Sequence, residues 1–229
     1  MNSKLDAAVS ITLALAAVSI AVVVVRREAR PINRRNPQPT VTDTPVYVEN
    51  WQDLLSEGIL MGSRDAPVKI LEFADLECPY CRRLDLSLQA VQRRFDQEVA
   101  LVFLHYPLAN HRFAHLAARA LECAERESRA EGFMRAVFDQ QDSLGLKSWA
   151  SFALQAGIVD TARFSACVSG LSDFPRVDAA QTLGKTIGVV GTPTVIVNGW
   201  QLPLGVDSVD LVRVVAELGA GKTPTWNRR

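Results

Sequence analysis

Two cysteines separated by two residues stand where a β-strand pattern changes to a helical pattern. Residues 67–74 are mostly apolar, as expected of a buried strand, and the motif CPYC occupies positions 78–81 after a short acidic segment. Between residues 80 and 95, apolar residues recur every three or four positions, which is the spacing of one helix face. The chain must therefore fold so that a strand leads into a helix with both thiols at the N-terminal end of that helix.

A zinc site is one alternative for such a pair, but it requires four ligands, usually supplied by two paired motifs. The two remaining cysteines, Cys123 and Cys167, stand alone, and the three histidines are not paired with a second cysteine motif. The 25 basic residues are balanced by 25 acidic ones, so the net charge gives no reason to expect a nucleic-acid partner. We expect neither a metal nor another cofactor, whereas a zinc-bound structural domain would contain metal when purified.

The position of the motif favours redox chemistry instead. A helix N-terminus presents unpaired N–H groups and the positive end of the helix dipole, both of which stabilise a thiolate and lower the pKa of a thiol placed there. Pro79 suits the first helical turn because it has no N–H group to leave unpaired. Cys81 lies one turn further along the helix and is predicted to be less exposed. The pattern predicts that Cys78 is the attacking sulfur and Cys81 the resolving one.

The remaining patterns predict an α/β domain in which one sheet is interrupted by a helical block. The predicted elements are a short helix at 50–56 capped by Asn50, a strand at 99–105, a helical block from 112 to about 187, strands at 194–197 and 200–204 joined by an Asn-Gly turn, and a helix at 208–218. The aromatic residues of the block are predicted to be core residues: Phe133, Phe138, Trp149, Phe152 and Phe164. This order indicates one sheet with a helical insertion.

The first 25 residues contain a long apolar segment. Residues 7–25 include no charged residue, and as a helix they would be about 28 Å long, close to the roughly 30 Å thickness of a bilayer core. A cleaved signal peptide should end in small residues, but here four valines run directly into Arg26. A buried core helix would rarely be so uniformly apolar. We predict a single transmembrane anchor at 1–25, followed by a Pro- and Arg-rich linker at 26–45.

Two segments resemble signatures of a known family. DAPVKILEFADLECPYCRRL resembles the active-site segment of the DsbA-like branch of the thioredoxin superfamily, and the sequence GTPT at 191–194 resembles its second signature, in which a cis-proline faces the cysteine pair. ECAERE and FSACVSG are also typical of this branch, and the resemblance extends over roughly residues 60–220. It implies a thioredoxin-like domain at 46–222, with a helical insertion at about 108–188 and a short tail at 223–229.

The resemblance also implies roles for residues around the cysteines. Pro193 would be the cis-proline, Thr192 would pair with an extended substrate, and Pro79 and Tyr80 would contribute to substrate binding. Tyr80 replaces the histidine found in the strongest oxidants of the branch, so the oxidising strength stays open.

Three acidic residues precede the motif. Glu72, six residues before Cys78, matches the family's acidic position beneath the active site, where a buried carboxylate takes the proton from Cys81. The alternative is a strand-end charge that reaches solvent. Asp75 and Glu77 are predicted to be surface residues.

The other two cysteines have two interpretations. As free thiols, Cys123 and Cys167 would be small buried hydrophobic residues. The resemblance to family members with a second disulfide implies that they are paired.

Two features of the sequence give conflicting indications of the side of the membrane on which the domain lies. Five arginines follow the apolar segment, and the positive-inside rule would keep the domain in the cytoplasm. A protein thiol oxidant and a structural disulfide both belong in an oxidising compartment. We expect a single-pass protein of the cytoplasmic membrane with its catalytic domain on the extracytoplasmic, periplasmic side.

The expected function is the introduction of disulfide bonds into exported proteins through the CPYC pair. Its partners would be unfolded or folding exported proteins with free thiols and a membrane partner, linked to quinone, that re-oxidises the pair. One alternative is a reductase or isomerase that uses the same cysteines. Another is a peptide-holding chaperone with the same fold.

Overall fold

A computed structural model describes residues 43–170 and 173–226. The predicted anchor, nearly all of the predicted linker and the last three residues of the predicted tail lie outside the described residues. None of the helices in the described ranges combines the length and hydropathy needed to span a bilayer.

The centre of the described part is a single mixed sheet of six strands. In chain order the strands are β1 (Val46–Tyr47), β2 (Ile59–Met61), β3 (Val68–Ala74), β4 (Val99–His105), β5 (Thr194–Val197) and β6 (Trp200–Gln201). They lie side by side in the order β1-β6-β5-β3-β4-β2. The inner strand β3 is parallel to β4 and antiparallel to β5. Both edges of β3 are therefore paired, and six of its seven residues are buried, so both of its faces are covered, which agrees with its nearly continuous apolar sequence.

Seven α-helices follow from the periodic segments of the described ranges. They are α1 (Pro79–Phe95), α2 (Ala114–Arg126), α3 (Ala130–Asp139), α4 (Trp149–Gln155), α5 (Thr161–Ser169), α6 (Pro175–Thr186) and α7 (Ser208–Gly219), with short 3₁₀ helices at Trp51–Glu57, Asp96–Glu98 and Gln141–Ser143. Helices α2 to α6 lie between β4 and β5 in the chain. The predicted thioredoxin-like plan with a helical insertion is confirmed.

The aromatic residues of the insertion form its core, as predicted. Phe133, Phe138, Phe152 and Phe164 are at most 1% exposed, and the half-buried Trp149 packs against the same cluster. Burial of such side chains is worth roughly 1.5–3 kcal/mol each. The insertion therefore shares one continuous hydrophobic core with the sheet.

Three local predictions differ from the structure. Strands β1 and β2 were not expected, because two or three residues are too few to show an alternating pattern. The final strand is shorter than predicted and ends at Gln201. The capping role of Asn50 is wrong, because its backbone is left-handed (φ 55°) and its side chain makes no capping hydrogen bond.

Candidate active site

The cysteine motif lies at the junction of β3 and α1, as predicted. Strand β3 ends at Ala74, and α1 begins at Pro79 with Cys78 as its N-cap residue. The N–H group of Cys78 donates to the carbonyl oxygen of Asp75 over 3.0 Å, which closes the turn between strand and helix. Cys78 therefore stands directly in front of the unpaired N–H groups of α1.

The two thiols are free, and their environments separate their pKa values. The Cys81 thiol donates a hydrogen bond to Cys78, and this bond is the main reason why the pKa of Cys78 falls to about 5. Burial of Cys78 opposes this shift. Thr192 and the backbone N–H groups of Cys81 and Tyr80 also lower the pKa. The pKa of Cys81 is raised well above its usual value, first by burial and then by its interaction with Cys78. Cys78 is thus the thiolate at neutral pH and Cys81 the thiol.

This difference predicts selective alkylation of the reduced protein. At pH 6, iodoacetamide is expected to modify Cys78 and leave Cys81 untouched, and the rate should rise with pH through a midpoint near pH 5. Because Cys78 is only 2% exposed, the absolute rate will be low, but the midpoint does not depend on access. Rates are obtained by mass spectrometry of quenched samples. A midpoint near the roughly pH 8.5 of an ordinary cysteine would contradict the assignment.

Glu72 lies in the middle of the sheet beneath the cysteines. On β3 it is flanked by Phe103 and Val195 of the neighbouring strands, and it is 1% exposed. Burial raises its pKa to about 8, and the charges of Asp85 and Cys78 add to the shift, while the Cys81 thiol opposes it. Its Oε1 atom is buried without a hydrogen-bond partner. The alternative that Glu72 reaches solvent is wrong, and the carboxyl group lies close enough to Cys81 for each group to shift the pKa of the other.

The second signature faces the first. The peptide bond between Thr192 and Pro193 is cis, and the Sγ atom of Cys78 lies 3.4 Å from the carbonyl oxygen of Thr192. The two segments are more than a hundred residues apart in the chain, and the antiparallel pairing of β3 with β5 brings them together.

A groove of about 720 Å³ runs beside the cysteine pair. It is lined on one side by residues of α1 and on the other by the cis-proline and by the segment before α7: Tyr80, Arg83, Leu84, Ser87, Thr192, Pro193, Val195, Pro203, Leu204, Gly205, Val206, Asp207 and Ser208. Tyr80 is 62% exposed at its rim. Two of the predicted binding residues, Tyr80 and Thr192, therefore share the groove with the cis-proline Pro193, whereas Pro79 is exposed at the start of α1 outside this lining.

The prediction that Asp75 is a surface residue is wrong. Asp75 is 2% exposed, and its Oδ1 atom accepts a hydrogen bond from the N–H group of Glu77 over 2.8 Å. Its Oδ2 atom accepts a hydrogen bond from the N–H group of Leu108 over 2.9 Å and lies 2.8 Å from Nδ1 of His111. Glu77 is half-buried and accepts from the N–H group of Phe113 over 2.5 Å. Both carboxylates fasten the turn before Cys78 to the loop after β4. No local pattern in the sequence could have indicated contacts over more than thirty residues.

Cys123 and Cys167 form a disulfide between α2 and α5, with Cα atoms 6.0 Å apart. This is the pairing that the family resemblance implied. Within the described ranges, no group of three or more potential metal-ligating side chains is arranged to hold an ion.

Comparisons of the sequence place most of the chain in one family. The thioredoxin family model matches residues 55–213. The chain is also 31% identical, over 157 residues, to the Na⁺/H⁺ antiporter NhaA 1 of Mycolicibacterium vanbaalenii, which is 67% of this chain but 25% of the antiporter. The chain spans about a quarter of the length of the curated relatives it matches, so the similarity concerns one segment of each antiporter.

Comparisons of the fold agree with this result. BdbD from Bacillus subtilis superposes with a TM-score of 0.66 at 19% identity, covering 78% of this chain and 97% of BdbD. The thiol-disulfide exchange protein α-DsbA2 from Wolbachia pipientis superposes with a TM-score of 0.65 at 18% identity, covering 73% and 91% of the two chains. The chain therefore belongs to the thioredoxin family and has the fold of the DsbA-like thiol–disulfide oxidoreductases.

Proposed function

We propose that this protein is a thiol–disulfide oxidoreductase that introduces disulfide bonds into other proteins. The observation that carries the proposal is the position of Cys78 at the N-terminus of α1, opposite the cis-proline, where its pKa is lowered to about 5. A stabilised thiolate stabilises the reduced form, which makes the oxidised form an oxidant. The pKa of Cys78 lies between that of the reactive cysteine of thioredoxin, a reductant, at about 7, and that of DsbA, a strong oxidant, at about 3.5.

The proposed reaction has two exchange steps. A substrate thiolate attacks Sγ of Cys78 in the Cys78–Cys81 disulfide, forms a mixed disulfide and releases Cys81 as a thiolate, which takes up a proton. A second substrate thiolate then attacks the substrate sulfur of the mixed disulfide and releases Cys78 as a thiolate. The substrate loses two electrons and gains a disulfide, and the enzyme is left as the dithiol. Glu72 supplies the proton in the first step and accepts it when the pair is re-oxidised.

The groove beside the cysteines is the proposed substrate site. Its walls combine apolar surface from Leu84, Val195 and Pro193 with the exposed ring of Tyr80. An extended peptide with an apolar residue near its cysteine fits this lining better than a charged peptide, because the groove offers more apolar than polar surface.

The proposed setting is the outer side of the cytoplasmic membrane. The apolar segment at 7–25 would anchor the domain there, and the Cys123–Cys167 disulfide suits an oxidising compartment. Substrates would be exported proteins with free thiols, and a quinone-linked membrane protein would re-oxidise the pair. Activity of a reporter fused after Arg229 only in the cytosol would contradict this orientation.

Replacement of Glu72 with glutamine tests the role of the buried carboxyl group. Since burial raises the pKa of Glu72 from about 4.5 to about 8, this group binds more protons in the folded protein than in the unfolded chain between these values, and its own contribution to stability falls as pH rises. The Cys78 thiolate contributes an opposite dependence that is present in both proteins, so the Glu72→Gln variant of the reduced protein should differ from the parent in slope by roughly 1.4 kcal/mol per pH unit and gain stability relative to it between pH 5 and pH 8. It should also exchange disulfides more slowly. Urea unfolding at pH 5 and pH 8 measures the first effect; equal pH slopes for both proteins would contradict it.

Two other functions make different demands on the same residues. A reductase or isomerase would work from the dithiol form. A peptide-holding chaperone would need the groove but not the sulfurs, so a variant with serine at both Cys78 and Cys81 would still suppress aggregation of an unfolded protein while losing all thiol exchange.

The reduction potential of the cysteine pair is the deciding measurement. It is obtained by equilibrating the protein with glutathione and counting free thiols at Cys78 and Cys81 by mass spectrometry. A value near about −120 mV would support a disulfide donor, and a value near about −270 mV would support a reductase. We expect a value nearer the first, because the thiolate of Cys78 is strongly stabilised.

A further inference from the structure

A glutamine of the helical insertion reaches into the active-site turn. Gln141 begins the 3₁₀ helix Gln141–Ser143 and is 8% exposed. Its Nε2 atom donates to the carbonyl oxygen of Leu76 over 2.8 Å and to that of Cys78 over 3.0 Å. Both N–H groups of the amide are thus used, and the two carbonyl partners define which end of the amide is the nitrogen.

Both carbonyl groups belong to the turn that places the nucleophile. The carbonyl oxygen of Cys78 also accepts from the N–H group of Arg82 over 3.2 Å, which is the first hydrogen bond of α1. Leu76 is 2% exposed, so water has little access to its carbonyl oxygen and cannot readily take the place of Gln141 as the hydrogen-bond donor. Loss of the amide would leave this buried acceptor unpaired, and the turn would move to find another donor.

We propose that Gln141 is a positioning residue through which the helical insertion holds the Cys78 sulfur against the N-terminus of α1; this inference rests on the proposed function. The amide fixes the direction of two carbonyl dipoles beside the thiolate and draws their negative ends towards itself. It thereby keeps Cys78 in line with the N–H groups of Tyr80 and Cys81, which stabilise the thiolate.

A second contact between the same turn of the insertion and α1 is weaker. Arg82 and Asp142 form an ion pair at 3.3 Å, but their side chains are 40% and 91% exposed. Exposed ion pairs contribute little, because water competes for both charges. Gln140, the neighbour of Gln141, bonds instead to Gln155 and Lys147 at the surface. It offers a matched control of the same residue type, one position away from the proposed contact.

The test compares Gln141→Met with Gln140→Met in the full chain. Methionine has nearly the length of glutamine but no N–H group. For Gln141→Met, the thiolate absorbance of the reduced protein should titrate about one pH unit higher than in the parent, and the equilibrium with glutathione should shift about tenfold towards the disulfide, a change of about 30 mV to a more negative potential. Gln140→Met should match the parent in both measurements.

Thermal unfolding of each variant separates positioning from general stability. A lower melting temperature with an unchanged titration midpoint and potential would overturn the proposal, and so would equal shifts in both variants. If Gln141→Met does not fold, Gln141→Asn retains the amide with a shorter reach and should shift both quantities in the same direction by less; no shift would again overturn the proposal. These measurements need no protein substrate, so they decide the role of Gln141 even if disulfide donation itself is not found.

Discussion

Replacement of Cys78 with serine is expected to reduce the rate of disulfide exchange by about a thousandfold or more, because the variant loses the sulfur that forms the mixed disulfide. Cys81 cannot take its place. Its side chain is fully buried, and burial raises its pKa so far that little thiolate exists at neutral pH. The rate is followed as oxidation of a peptide with two cysteines.

The matching Cys81→Ser variant should behave differently. The serine hydroxyl can donate to Cys78 in place of the Cys81 thiol, and the backbone N–H groups at the N-terminus of α1 remain, so Cys78 should still react with a substrate disulfide, but no internal thiol can release the product. A long-lived mixed disulfide at Cys78 is therefore expected, visible as a mass increase that a reductant removes. Accumulation of the mixed disulfide on Cys81 in the Cys78→Ser variant would mean that the roles are reversed.

Removal of the disulfide between Cys123 and Cys167 is expected to lower the free energy of unfolding by about 2–4 kcal/mol. The bond closes a loop with a sequence separation of 44 residues, for which the loop-entropy model gives about 4 kcal/mol as an upper value. Cys123 is 2% exposed, so its replacement leaves a space in the core, but the space is small because alanine lacks only the sulfur atom. The double variant with alanine at both positions is compared with the parent by guanidinium unfolding, with the Cys78–Cys81 pair reduced in both proteins.

The reduction potential of the Cys78–Cys81 pair provides the control for this second prediction. The disulfide joins α2 to α5 within the insertion, and the residues that shift the pKa of Cys78 belong to α1 and to the segment before β5. The double variant should therefore keep the potential of the parent while it loses stability. An unchanged free energy of unfolding would mean that the insertion keeps its structure without the bond.

Most of the architecture was predictable because its patterns are local. Strand β4, helix α1 and strand β5 were predicted within one residue of their bounds, since burial on both faces or on one helix face leaves a periodic pattern in the sequence itself. The short strands β1 and β2 leave no such pattern. Strand β2 forms because the longer β4 offers unpaired backbone groups at the edge of the sheet, and β1 pairs with the equally short β6.

The sequence by itself determined that a cysteine pair begins a helix after a buried strand, and from this it predicted which thiol attacks. Only the tertiary structure decided what surrounds that pair. The burial of Asp75, the reach of Gln141 into the turn and the solvent-free position of Glu72 all depend on segments that are distant in the chain. The reason is physical: a helix N-terminus stabilises a thiolate through neighbouring backbone groups, whereas burial and long-range hydrogen bonds exist only once the sheet and the insertion have packed together.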